Sequence, residues 1–386
     1  MDEPLVDIRS SLKAVCARKD LYEGVQTVSY AVSNRTSLPI LQHVLFETVD
    51  DSSALRLSAG DMELFISLTI PATIETIGAG TMDAKRSVEL LGSLPENEVT
   101  LDVDRGYATH LHCAHSDYKL LGLPPEEYPR LPEVPDNDCF TIQQSILRDM
   151  VRQTSVAVAK DETRPILTGV LLALNDDTLT LVATDTHRLT YRREPVADAQ
   201  GSRQAIVPSR AMNELVRILA DAPGDVHVSI AENRVKFVTP GGVTFVSRLI
   251  EGQFPAFQRV IPTAFTKVLT VPRQSLLQAV RRAEIVARSA NHRVMFRSLD
   301  DHLAISAEAT DSGSAREEVE VMREGDDIET AFNGTYVLDV LNVLDCEAVR
   351  FELSESLKPG VLRPVASDPA APAPDYLCVL MPMQIT

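Results

Sequence analysis

No stretch of the 386 residues approaches the run of about 20 apolar residues that a membrane-spanning helix requires. The N-terminus, Met1-Asp2-Glu3-Pro4, is acidic and has no apolar core, which excludes a secretory signal peptide. Cysteine is sparse. Cys16, Cys113, Cys139, Cys346 and Cys378 are odd in number, scattered, and never spaced Cys-x-x-Cys. That excludes a disulfide framework and a zinc ribbon, and fits reduced thiols in the cytoplasm. There is no phosphate-cradling glycine loop, nucleophile elbow, zincin motif or dinucleotide fingerprint. Positive charge is also short: 37 Lys and Arg face 55 Asp and Glu, a net −18. By itself that balance argues against nucleic acid as a partner.

What the chain does contain is a threefold repeat. Leu55-Arg56-Leu57-Ser58-Ala59-Gly60-Asp61 returns as Leu179-Thr180-Leu181-Val182-Ala183-Thr184-Asp185, and more faintly as Leu303-Ala304-Ile305-Ser306-Ala307, each step being 124 residues. Pro39-Ile40-Leu41 and Pro165-Ile166-Leu167 keep a similar spacing, as do Tyr128-Pro129 and Phe254-Pro255. Solenoid repeats run about 20–50 residues, so this period is a whole domain. Three domains follow: 1–136, 137–263 and 264–386, with linkers near Pro132–Asp138 and Pro262–Thr266. A hydrophobic content of 44% lets each bury its own core.

Each copy reads as helix, strands, helix, strands. First helices follow capping-type residues at Asp20, Ser145 and Ser275. Second helices show apolar spacing at Val88–Leu94, Met212–Leu219 and Val337–Leu344. Alternating β-branched runs at Val99–Val103, Val226–Ile230 and Val349–Leu353 read as strands. The expected class is α+β, with two helices on an antiparallel sheet in each domain. The segment 367–374, rich in Ala and Pro, reads as a flexible or extended loop.

Four segments could carry chemistry. His110 and His112 share a strand face, with His115 nearby, and zinc accepts such donors. No second ligand cluster pairs with them, so a plain strand and no metal are expected. Asp61 and Glu63 form a carboxylate pair, but Asp185 repeats Asp61, which points to a turn. Thr184-Asp185-Thr186-His187-Arg188-Leu189 packs a hydroxyl, a carboxylate, an imidazole and a guanidinium into one run. Strand neighbours point apart, whereas a catalytic set must converge. The apolar end Tyr376–Met383 reads as a last strand; its Met381-Pro382-Met383 also suits an adaptable binding surface.

Together the segments Thr36–Leu41, Val182–Leu189, Glu251–Pro255, Phe332–Asn342 and Val379–Met383 resemble the bacterial DNA polymerase III beta subunit, the sliding clamps. The resemblance runs from about Leu12 to the end. It implies a head-to-tail dimeric ring of six similar domains around duplex DNA. It also implies a non-enzymatic processivity role without cofactors, a replicative polymerase and a clamp loader as partners, and cytoplasmic work at the nucleoid. A ring that slides makes no base-specific contact, so phosphate attraction suffices. Arg35, Arg148, Arg152, Lys160, Arg164, Arg281 and Arg282 are the DNA-facing cations this implies.

The resemblance further implies a partner-peptide pocket between the second and third domains. Its residues are Arg164, Leu167, Thr184, Thr186, His187, Arg188, Leu189, Pro255, Arg259, Val260, Asn333, Tyr336, Leu357, Val379, Leu380, Met381, Pro382 and Met383. Leu189, Val260, Leu380 and Met381 would form apolar walls, with Arg164, His187 and Arg188 orienting polar peptide groups. The protomer interface would use Tyr118 and Leu120 on one side and Ile285 and Val286 on the other. Departures are Thr186 where some members have Gly, Ile166 where some have an aromatic residue, and a Gln384-Ile385-Thr386 end. Residues 1–11 read as an extension, with Leu12 as the initiator. Two other readings stay open: a duplicated clamp paralogue conferring resistance to a clamp-binding antibiotic, and a triplicated hydrolase using His187 and Asp185.

Overall fold

The computed structural model describes residues 11–33, 36–49, 53–135, 139–199, 201–366 and 373–385. The first repeat runs β1 (Leu12–Ala17), α1 (Arg18–Ser29), β2 (His43–Thr48), β3 (Ala54–Gly60), β4 (Leu64–Pro71), β5 (Thr73–Thr76), β6 (Ala79–Asp83), α2 (Ala84–Ser93), β7 (Glu98–Val103), β8 (Thr109–Cys113) and β9 (Ser116–Leu120). The second runs β10 (Cys139–Gln143), α3 (Gln144–Ser155), β11 (Gly169–Asn175), β12 (Thr178–Thr184), β13 (Arg188–Pro195), β14 (Ser202–Pro208), α4 (Ser209–Ile218), β15 (Asp225–Ile230), β16 (Arg234–Val238) and β17 (Thr244–Arg248). The third runs β18 (Lys267–Pro272), α5 (Arg273–Ala287), β19 (Arg293–Leu299), β20 (His302–Ala309), β21 (Gly313–Glu320), β22 (Met322–Glu324), β23 (Glu329–Asn333), α6 (Gly334–Val343), β24 (Ala348–Leu353), β25 (Gly360–Pro364) and β26 (Asp375–Leu380).

By contacts the chain forms two compact units, residues 1–144 with 217–249 and residues 145–216 with 250–386, so the middle repeat is divided between them. The first unit holds a five-stranded sheet, β5-β1-β7-β8-β9, and an eight-stranded one, β10-β15-β16-β17-β4-β3-β2-β6. The second holds a nine-stranded sheet, β14-β11-β12-β13-β26-β25-β24-β18-β22, and a four-stranded one, β21-β20-β19-β23. Among the described residues the strands pair antiparallel. Each larger sheet crosses a repeat boundary the same way. The fourth strand of one repeat pairs with the last strand of the next, β4 with β17 and β13 with β26.

The helices follow their apolar periodicity. α1 buries Leu21, Gly24, Val25 and Val28 at helical spacing. A Cβ at Gly24 would lie 2.6 Å from Leu57 Cδ1, so glycine there lets α1 approach β3 closely. α5 buries Leu276, Leu277, Val280, Ala283 and Ala287 against Phe296, Phe332 and Phe351.

The capping expectation for the first helices is corrected. Ala17 and Pro272 hold the N-cap positions of α1 and α5, with no side-chain cap bond. The first helical N–H is satisfied by the adjoining strand instead. Arg18 N donates to Asn97 O, Gln144 N to Gly224 O and Arg273 N to Glu347 O, each at 2.9 Å. In every repeat the ladder between the first strand and the third from last, β1 with β7, β10 with β15 and β18 with β24, extends one bond into the helix. Side-chain caps open two of the second helices: Asp83 accepts from Arg86 N, and Asn333 accepts from Thr335 N and Tyr336 N.

Three of the five cysteines, Cys16, Cys113 and Cys378, are buried, and Cys139 is exposed. Burial pushes the Cys16 and Cys378 thiols up to about 12. Thiolate is the reactive form. A maleimide at pH 8 should therefore modify Cys139 first and leave the buried three untouched until denaturant is added. Mass spectrometry of the intact protein reads this directly; simultaneous labelling of Cys139 and Cys378 would contradict the packing.

Candidate functional site

The sequence run Thr184–Leu189 forms the hairpin turn between β12 and β13. Asp185 Oδ1 accepts from His187 N and Arg188 N, both at 3.0 Å. Thr184 Oγ1 accepts from Thr186 N and donates to Arg188 O at 2.7 Å. Asp61 does the same in the first repeat, accepting from Glu63 N and Leu64 N. The aspartate is thus a turn residue in both copies, as its recurrence suggested. Thr186 takes φ 77° and Met62, one repeat earlier, takes φ 78°. That region favours glycine, so Thr186 stores about 1–2 kcal/mol of strain.

The turn projects Arg188 inward. Its side chain is only 5% exposed, yet Nε meets Asp185 Oδ2 at 3.1 Å and Nη1 meets Asp339 Oδ2 at 2.7 Å. The guanidinium carbon lies 4.3 Å from the centre of the Tyr336 ring, and His187 stacks on the same ring at 6.5 Å. Tyr336 and Asp339 are three residues apart on α6 and so share a face. Burial, then the Asp185 carboxylate, raises the Tyr336 phenol above its ordinary value. The start of α6 is held by Glu284, a buried carboxylate that bonds His292 and accepts from Thr335 Oγ1 at 3.1 Å.

Asp185, Arg188, Thr335, Tyr336 and Asp339 help line a cavity of about 510 Å³ within the second unit. Arg164, Leu167, Thr186, His187, Arg188 and Tyr336, all expected at a pocket, line it, and so does Lys160, expected instead on a DNA-facing surface. Sequence reasoning missed Val158, Ala159, Asp161, Thr163, Thr335 and Asp339 as lining residues. Helical spacing from Tyr336 could have found Asp339; no comparable signal marked the 158–163 loop. In that loop the backbone N–H and then the hydroxyl of Thr163 hold the Asp161 carboxyl below its usual range.

The remaining residues expected at the pocket do not line this cavity. β13 pairs with β26 with Arg188 opposite Leu380 and Leu189 opposite Val379. Beyond β26, Met381 N donates to His187 O at 2.9 Å and Met383 N to Ala331 O at 2.8 Å. The tail 381–383 is therefore stitched to the turn and to β23. Leu189, Val379 and Leu380 are buried in the core, where they set the strands rather than present a wall. Val260, Leu357 and Met381 are exposed. Pro255 and Arg259 are exposed too, on a segment anchored by buried Phe254 and Phe257 beside Leu167 and Leu189. Asn333 acts as the α6 cap, and Pro382 is half-buried.

The expected cations have partners of different kinds. Arg152 on α3 meets Asp149 at 3.3 Å, and Arg148 lies on the same helix. Arg281 bonds Asn342 at 3.3 Å. Arg282 forms a bidentate pair with Glu317 of β21, which lowers the Glu317 carboxyl and raises the guanidinium. Arg35 lies outside the described residues, as do residues 1–10 and 367–372. Tyr118 is 38% exposed on β9; Ile285 is exposed on α5, and Val286 packs against the core. Leu120 is half-buried.

No catalytic set assembles here. Asp185 is spent on the turn and on Arg188, and His187 stacks on a tyrosine. Among the described residues no group of three or more His, Cys, Asp or Glu could hold a metal ion. His110 pairs with Asp104 at 3.1 Å and His112 with Asp117 at 2.7 Å on the exposed face of β8. No helix of the described residues is long and apolar enough to cross a membrane. What the site offers is a cavity lined with charge, with exposed Met381 bonded to one of its lining residues, the composition of a binding surface.

Comparison with known proteins gives one answer along the whole chain. Profiles of the DNA polymerase III beta subunit match in order: its N-terminal domain over residues 12–132, its central domain over 141–256 and its C-terminal domain over 258–383. The beta sliding clamp of Staphylococcus aureus (strain COL) is 32% identical over 348 residues, covering 88% of this chain and 92% of that protein. The crystal structure of the DNA polymerase sliding clamp from Bacillus subtilis is similar with a TM-score of 0.90 and 29% identity, over 98% of this chain and 100% of that one. The DNA polymerase III subunit beta from Pseudomonas aeruginosa gives a TM-score of 0.89 and 31% identity, over 97% of this chain and 100% of its own.

Proposed function

The chain belongs to the DNA polymerase III beta subunit family, and from that membership we propose which of its residues hold DNA, partner and second copy. It is a sliding clamp, a processivity factor of the replicative polymerase and not an enzyme. Its fold is the three-domain clamp fold; we assign the domains to 1–136, 137–263 and 264–386. Duplex DNA, the polymerase, a clamp loader and a second copy of itself are its partners, and we place its work at nucleoid DNA in the cytoplasm. The hydrolase reading has no convergent residues to support it, and the comparisons do not favour a resistance role.

A head-to-tail dimer makes a ring of six domains. Such a heterologous contact must close by rotation, or it generates filaments. Tyr118 and Leu120 of one copy would meet Ile285 and Val286 of the other. With a net charge of −18, DNA attraction must come from local cations. We assign Arg148, Arg152, Lys160, Arg164 and Arg281 to it, with Arg35 from outside the described residues. Arg282 contributes least of this set, because Glu317 already neutralises it.

The partner pocket rests on one observation above all: exposed Met381 is hydrogen-bonded to His187, whose turn between β12 and β13 lines a charged cavity. A short peptide with apolar and polar ends fits such a surface. Micromolar binding requires about −8 kcal/mol. The two thioethers of Met381 and Met383 supply adaptable contact area on a tail that hydrogen bonds already fix. The double variant Met381→Ala, Met383→Ala should weaken a polymerase-tail peptide about 10- to 100-fold, at roughly 1 kcal/mol or more per truncated contact, while the protein stays dimeric. Fluorescence anisotropy and sedimentation read the two properties; an unchanged peptide affinity refutes the pocket.

A further inference from the structure

We propose that residues 131–134 are a strap that fills, at the joint of β4 and β17, a second copy of the site that a partner peptide takes at the joint of β13 and β26. Release of the strap would open a second peptide site in each chain. This rests on the partner pocket assigned above and adds to it a closed counterpart in the first unit.

The two joints share one framework. In each, a row of three facing residues crosses the sheet. The row is Phe65 of β4, Val246 of β17 and Lys236 of β16 in the first joint, and Leu189 of β13, Val379 of β26 and Val361 of β25 in the second. A turn built on Asp61 or Asp185 precedes the row. The chain leaving the last strand bonds back to that turn: Arg248 N donates to Glu63 O at 2.7 Å, and Met381 N to His187 O at 2.9 Å. Glu63 thus stands where His187 stands, and Arg248 where Met381 stands.

The linkers that follow Tyr128-Pro129 and Phe254-Pro255 differ. The spacing of those two pairs sets Leu131 in the place of Phe257 and Val134 in the place of Val260. Leu131 and Phe257 both pack against their joint's apolar cluster. Val260, however, is 50% exposed, whereas Val134 is 6% exposed and closes with Phe65 and Val246 into one cluster. Lys236 Nζ donates to Val134 O at 3.0 Å and latches the strap. Its counterpart in the second joint, Val361, has no donor to offer. The strap therefore meets its site as a short peptide would. Two apolar side chains three residues apart enter an apolar row, a lysine holds the backbone, and Glu133 stays exposed between them. A tethered segment competes at an effective concentration on the order of millimolar. A free peptide then finds the site open only a small fraction of the time, and its apparent affinity falls by that fraction.

The test is a calorimetric titration of full-length protein with the polymerase-tail peptide, which counts sites per chain. Unsubstituted protein should take one peptide. Lys236→Val removes the latch, gives the row the residue type of the second joint and leaves the apolar cluster intact. Val134→Ser, Lys236→Val also removes the anchor of the strap. Each should take a second peptide per chain, about tenfold weaker than the first in the single variant and within about threefold of it in the double. Adding Met381→Ala, Met383→Ala should weaken the first site and leave the new one. Thermal unfolding of each variant checks that it is folded, and either folded variant suffices. One site per chain in a folded variant, still dependent on Met381 and Met383, overturns the strap and leaves the pocket of the second joint standing. A first site indifferent to Met381 and Met383, with a second gained on releasing the strap, overturns that pocket and keeps the strap. No binding to any of the proteins overturns both.

Discussion

Loaded on a nicked circle, the protein should stay bound through a gel-filtration column at high salt, and cutting the circle once should release it. The expectation follows from charge. The chain carries −18, and its cations are few and partly paired: Arg152 with Asp149, Arg282 with Glu317. About six phosphate contacts would give a log–log salt slope near −5, a loss of roughly a thousandfold between about 50 and 200 mM salt. Retention above that range cannot come from such contacts, so it must be topological. The sequence has no phosphate-binding loop, so loading in the assay needs an ATP-driven clamp loader. Equal retention on circular and linear DNA at high salt would sink the proposal that the chain encircles DNA.

Arg188→Ala should be the most damaging single substitution at the partner site. The guanidinium is 5% exposed and neutralises two carboxylates, Asp185 at 14% exposure and Asp339 at 38%. Truncation leaves both acids facing each other and removes the cation over Tyr336. Breaking a buried pair costs about 3–5 kcal/mol; with Asp339 partly solvated, about 2–4 kcal/mol is expected here. That corresponds to a fall of roughly 5–12 °C in the melting midpoint of the unit that contains it. Arg188→Ala, Asp339→Asn should recover part of the loss, because one of the stranded charges is gone. Differential scanning calorimetry on the three proteins separates these outcomes. A melting midpoint that does not move would mean that Arg188 is not the electrostatic centre of the turn.

The repeat and its consequences were legible in the chain. Leu55, Leu179 and Leu303 mark equivalent strands β3, β12 and β20, and the runs from Val99, Val226 and Val349 are strands in all three copies. Apolar periodicity carries this information, because a strand or helix must bury one face whatever surrounds it. Helix starts were read less well. Asp20, Ser145 and Ser275 are capping-type residues inside helices that begin earlier, because backbone bonds from a distant strand satisfy the first N–H groups. Local sequence has no access to that partner.

The site divides along the same line. Sequence alone determined that Asp185 repeats Asp61 and therefore builds a turn, and that an apolar strand near the C-terminus is followed by the methionines Met381 and Met383. Only tertiary structure decided that Arg188, where the first repeat has Leu64, reaches Asp339 from 151 residues away and closes over Tyr336. It likewise turned Leu189 and Leu380 inward while leaving Val260 and Met381 at the surface. The physical reason is range: hydrophobic patterning is a local property of a strand, whereas the Arg188–Asp339 pair and the cavity around it exist only where the second and third repeats meet.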